Sequence, residues 1–150
     1  MSQQDDKIEK LPYAFIETIL GSIEENMDED AAADILRGCC SAHYAALDMD
    51  TTLGKYKGDI EGLISLMERE WGWQIDYDKT RGIIEVNENK PFCVCPLVQN
   101  GGVKNPILCH CSEGFAQKMF SLAAGQKVET SVEASILMGD ESCIYRIKLK

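Results

Sequence analysis

The chain has 150 residues, 45% of them hydrophobic and 27% charged, which suits one domain with its own core and leaves too little for two. Its formal net charge is −10, a balance that a phosphate backbone repels, and no basic stripe offsets it, so no nucleic-acid partner is expected. No apolar run approaches the roughly 20 residues that span a bilayer, and the opening MSQQDDKIEK lacks the basic and apolar regions of a secretory signal. The expectation is a cytoplasmic protein, not a membrane one, with a single domain over residues 1–150.

In chain order, Ile16, Ile19, Leu20, Ile23 and Met27 recur at helical spacing. Pro12 suits that helix's first turn. EENMDED is an acidic run without the alternating oxygen ligands and central glycine of an EF-hand loop, and it reads as a solvated junction. DEDAAADILRGCCSAHYAALD predicts a second helix, acidic at its N-terminal end where the dipole favours acids. TTLGKYKG reads as a loop. DIEGLISLMEREW predicts a third helix stopped by Gly72.

The period then changes to two. WQIDYDK alternates Trp73, Ile75 and Tyr77, and GIIEVNE follows after KTRG, so a hairpin is expected. SEGFAQKMFSLAAG predicts a helix, with Ser112 as N-cap and Gly125 as stop. At the end, Val128, Thr130, Val132, Ala134, Ile136 and Met138 share one face by alternation. GDES turns the chain, and Cys143, Tyr145, Ile147 and Leu149 share a face of the closing strand. Consecutive strands favour antiparallel pairing, so the predicted class is α+β. N-terminal helices pack on an antiparallel sheet, with a cysteine-bearing ribbon and a C-terminal β-hairpin.

The ribbon is PFCVCPLVQNGGVKNPILCHC, which holds four of the chain's seven cysteines. In a strand, residues two apart point to the same side. Pro96 and Pro106 bias Cys95 and Asn105 toward extended conformations. A reversal near Gly102 sets Cys95 against Cys109 and Cys93 against Cys111, with four thiols on one face. In a reducing compartment such a set points to metal or redox chemistry rather than structural disulfides. Zinc is expected first and an iron–sulfur cluster second, although one residue between paired ligands is shorter than a zinc knuckle uses.

GCCSAHY adds Cys39, Cys40 and His43, which share a helix face at spacings of three and four. For Cys39 and Cys40, core packing and ligation both stay open. A rival reading is nucleophilic: Cys111 lies near a predicted helix N-terminus, where a thiol pKa falls, and Cys40 or Cys111 with His43 forms a candidate dyad. A redox switch is a further alternative. Trp71, Trp73 and Tyr77 lie where helix meets sheet and are candidates for an apolar ligand pocket. Cys143 is expected in the core.

The ending ASILMGDESCIYRIKL resembles that of 4-vinyl reductase-like domains, through Gly139, Cys143, Tyr145 and Ile147. These share a fold with heme–nitric-oxide-binding domains and a transport-complex subunit family. ILRGCCSAHY, the Cys-x-Cys-Pro and Cys-x-Cys-Ser segments and this ending together resemble cysteine-rich relatives of the 2-amino-thiazoline-4-carboxylate hydrolase family. The cysteines that match that pattern are Cys39, Cys93, Cys95, Cys109 and Cys111, and GCC departs from the Cys-Gly-x-x-Cys expected there. The resemblance implies the α+β fold and a small-molecule ligand.

Three functions follow as expectations. The first is a thiolate metal-binding domain with Cys93, Cys95, Cys109 and Cys111 as ligands, and Cys39, Cys40 and His43 as additions. The second is a thiol-dependent hydrolase of a thiazoline-like or amide substrate. The third is a small-ligand or redox sensor module. A protein partner or a homo-oligomer fits any of them.

Overall fold

The computed structural model describes residues 2–150, and its first helix, α1, spans Gln3–Asn26. It begins nine residues before Pro12 because Ser2 and Asp5 form a capping box, each side chain taking up the other's backbone N–H. Pro12 sits inside the helix at an exposed position, where water can serve the carbonyl that loses its donor. Helix α2, Glu29–Ala46, starts from Asp28, whose carboxylate accepts from the Ala31 N–H at 2.8 Å.

The segment expected as a loop folds into α3, Met49–Leu53, and a 3₁₀ turn over Gly54–Tyr56. Met49, Leu53 and Tyr56 are buried there, so apolar anchors override weak helix propensity. Helix α4, Ile60–Trp71, is capped by Asp59 and stops at Gly72 as expected.

Strand β1, Gln74–Asp78, pairs antiparallel with β2, Ile83–Asn87. Past the cysteine-bearing segment come a single-turn α5, Pro96–Gln99, and the long α6, Cys109–Ala124. Strands β3, Glu129–Ala134, and β4, Ile144–Lys148, form the C-terminal hairpin. β3 ends at Ala134 rather than Met138, because the Ser135 hydroxyl accepts from the Met138 N–H and closes a 3₁₀ turn. The sheet order is β1-β2-β4-β3, so the closing strand lies inside the sheet.

Alternation turns Ile84, Val86, Tyr145 and Ile147 inward, while Glu85, Arg146 and Ser131 face solvent. Against the apolar face lies α6, which buries Met119, Phe120 and Ala123. A side chain such as Phe120, with 0% exposure, contributes roughly 1.5–3 kcal/mol by leaving water. Helix α2 crosses α6 closely. A Cβ on Gly114 would stand 2.3 Å from the Arg37 carbonyl oxygen, so only glycine fits the crossing. A smaller core of Leu20, Leu36, Val103 and Leu108 lies beneath α1.

Candidate functional site

The cysteine-bearing segment is not a ribbon. Cys95 keeps the extended conformation that a following proline imposes (φ −63°, ψ 125°), yet Pro96 opens a helical turn instead of closing a strand. Asn105 and Pro106 repeat the arrangement, the Asn105 side chain accepting from the Ile107 N–H at 3.1 Å. Gly102 turns the chain at φ 70°, as expected. The Glu17 carboxylate accepts from the Lys104 N–H at 3.0 Å and ties this loop to α1.

The consequence for the thiols is geometric. Helix α6 starts at Cys109, three residues before the expected N-cap Ser112, so Cys109 and Cys111 both lie in its first turn. Residues two apart on a helix diverge by about 200°, where on a strand they would align. Cys109 accordingly lines a cavity between α6 and the sheet, and Cys111 packs into the smaller core beneath α1. Cys93 and Cys95 line the same cavity as Cys109, and the charge of Cys95 bears on Cys109.

That cavity has a volume of about 490 Å³, within the range of small-molecule sites. Its apolar wall includes Trp71, Trp73, Phe115, Met119 and Phe120, and the two indoles meet edge to face with centroids 4.9 Å apart. Of the expected site residues, Cys93, Cys95, Cys109, His43, Trp71 and Trp73 meet here. Cys39, Cys40, Cys111 and Tyr77 do not line it. Cys39 is exposed on α2 and Cys40 is buried there. Tyr77 packs at the edge of the main core with the Lys79 ammonium 5.9 Å from its ring centroid. Among the described residues, no group of three or more His, Cys, Asp or Glu side chains is disposed to hold a metal ion.

Cys143, expected in the core, is buried and also lines the cavity, as do Glu88, Ser112 and Tyr145. Glu88 could have been found: it follows Ile84 and Val86 at the period of two, so alternation already turns a carboxyl inward. Its backbone N–H donates to the Cys143 carbonyl at 3.0 Å. Burial pushes its pKa up to about 7, while the Tyr145 hydroxyl and the Lys90 ammonium pull the other way. Burial also holds Tyr145 well above the usual phenol range, with the Glu88 charge adding to it.

Burial holds Cys93, Cys109, Cys111 and Cys143 in the protonated form. Burial raises Cys93 and Cys109, and pushes Cys111 and Cys143 up to about 12. For Cys111 burial thus reverses the lowering expected at a helix N-terminus, and the thiol of Cys40 beside it raises it further. Cys109 Sγ donates to Ser135 Oγ at 3.3 Å, and Cys143 Sγ accepts from the Ile136 N–H at 3.5 Å. The His43 ring lies tilted against Phe115 with centroids 4.8 Å apart, and burial lowers its pKa, so its ring is neutral at neutral pH. Burial also raises the Cys40 pKa, while the Lys118 ammonium acts the other way.

Behind the site, Glu113 is 4% exposed and accepts from Arg37 Nε at 2.9 Å and the Val132 N–H at 2.9 Å, with His110 Nδ1 at 3.0 Å. This buried carboxylate fastens α2, α6 and β3 together. Sequence patterning gave no sign of it, because Glu113 sits on a helix start where exposed acids are common.

The architecture is thus an α+β fold in which helices cover one face of a four-stranded antiparallel sheet and enclose a thiol-walled cavity. The chain belongs to a family of unknown function, DUF6144, matched over residues 2–150. No curated protein matches it. Among solved structures it is similar to a trafficking protein particle complex subunit 3 from Naegleria fowleri, covalently bound to palmitic acid in its crystal structure. The TM-score is 0.55 at 11% sequence identity, covering 99% of this chain and 97% of that one. At that identity the likeness is one of fold.

Proposed function

We propose that this protein is a binding module for a small, mainly apolar molecule, held between α6 and the sheet. The observation that carries the reading is the cavity of about 490 Å³, walled by indole, phenyl and thioether groups with a few polar groups among them. The wall thiols of Cys93, Cys109 and Cys143, which burial keeps protonated, suit this role, since they add soft, polarisable surface without charge. The fold neighbour bound to palmitic acid lends support, because a long apolar body is the kind of ligand such a wall accommodates.

Titration with n-octanol tests it. The chain has two tryptophans and both line the cavity, so binding is expected to give a saturable change in tryptophan emission. Octanol is also expected to slow iodoacetamide alkylation of Cys93 and Cys95, on the wall, and not of the exposed Cys39. Emission that drifts without saturating, with alkylation unaffected, would overturn the reading.

A further inference from the structure

The cavity wall carries one carboxyl group and no permanent cation. Glu88 is its only Asp or Glu side chain, is 5% exposed, and makes no ion pair among the described residues. The groups facing it are weak counter-charges or none. Tyr145 and Cys143 approach from β4, Cys109 from the start of α6, and Cys93 from the segment after β2. The nearest cation, Lys90, lies outside the cavity, its ammonium 3.2 Å from where a Cβ on Gly72 would stand. His43, also on the wall, is neutral. The same wall carries Trp71 and Trp73, whose π-faces attract cations.

The Tyr145 hydroxyl bonds this carboxyl but brings no counter-charge, and a buried carboxylate without one is costly until a cation pairs with it. Granted the ligand-binding reading above, we propose that the cavity takes an amphiphile with a cationic head: a primary ammonium seated on the Glu88 carboxylate beside the two indoles, its alkyl body against Met119 and Phe120. An acidic protein surface, net −10, also favours cations over anions in the approach.

The bound cation demands an ionised Glu88, so affinity has a defined pH dependence. The ammonium of an alkylamine stays charged between pH 6 and 8, while the carboxyl, titrating at about 7, takes up a proton as pH falls. Amine affinity is therefore expected to drop about tenfold from pH 8 to pH 6, octanol affinity to hold, and octanoate affinity to move the opposite way.

The experiment is a titration of the wild-type chain and Glu88→Gln with n-octylamine, n-octanol and octanoate, read by tryptophan emission at both pH values. At pH 8, octylamine is expected to bind at least about tenfold tighter than octanol, a gap set by one desolvated charge pair. The octylamine-to-octanol affinity ratio is expected to fall to near one in Glu88→Gln. Equal affinities in the wild type, a preference for octanoate, or a ratio unchanged in the variant would overturn the cationic head and leave the apolar cavity standing wherever octanol still binds. Failure of all three probes would overturn both. Should Glu88→Gln fail to fold, the wild-type octylamine profile decides alone, and a profile flat between pH 6 and pH 8 rejects the proposal.

Discussion

Glu88 shows how one side chain can couple stability to pH. Its ordinary carboxyl value is 4.5 and its folded value about 7. Between those values the folded chain keeps a proton that the unfolded chain has lost. Stability therefore falls as pH rises from 4.5 to about 7 and levels off above. The fall is on the order of 3 kcal/mol. His43 acts in the opposite sense, because burial lowers its folded pKa, and it removes stability as pH drops below its ordinary 6.5. Urea unfolding of Glu88→Gln at pH 5 and pH 8 separates the two. The variant is expected to lose the decline with rising pH and to be more stable than the wild type at pH 8. An identical pH profile in both chains would mean that Glu88 is not held in the protonated form. The residue was legible as an inward-facing acid from its place after Ile84 and Val86. What it faces was not, because Trp71, Cys109 and Tyr145 reach it from elements remote in sequence.

Among elements, the α2–α6 crossing depends on one missing methyl group. Gly114→Ala places a Cβ 2.3 Å from the Arg37 carbonyl oxygen, where backbone must move. Urea or thermal unfolding is expected to report a loss of about 3 kcal/mol or more, the cost of overpacking at a site that cannot yield. Gly38, within α2, has no atom within 4 Å of its missing Cβ, so Gly38→Ala is expected to stabilise by up to about 1 kcal/mol. A similar effect of the two substitutions would show that the crossing is loose. Helix α4 and the β1–β2 hairpin were legible almost to the residue, because caps, a glycine stop and alternation agree there. The cysteine-bearing segment was not. A residue before proline is extended both in a strand and at a helix N-cap, so Cys95–Pro96 and Asn105–Pro106 fit either. Cys-x-Cys spacing then favours the strand by alternation, while the structure sends Cys109 and Cys111 to different places.

For the whole molecule, α+β class, antiparallel pairing and helices over a sheet all followed from local periodicity. The strand order did not. Nothing in a local pattern says that β4 inserts between β2 and β3, since this depends on which inward faces α6 can cover together. The start of α1 was also missed, because it rests on the Ser2–Asp5 capping box rather than on the apolar repeat. Its stripe of Ile8, Leu11, Phe15 and Ile19 stays exposed.

The interior position of β4 has a kinetic side. Ile84 pairs with Ile147 and Val86 with Tyr145, contacts that close only after a long stretch of chain has been ordered. Strands bonded on both sides open only in the largest unfolding events. The amide hydrogens of Tyr145 and Ile147 are therefore expected to exchange with deuterium among the slowest in the molecule. Because Tyr145 and Cys143 also line the cavity, a molecule bound there should slow β4 exchange further and leave that of residues 3–11 of α1 unchanged. Fast exchange across β4 would mean that the strand is only loosely held in the sheet. Slow exchange there would make the middle of the sheet an internal clock for occupancy, readable without a label or a known ligand.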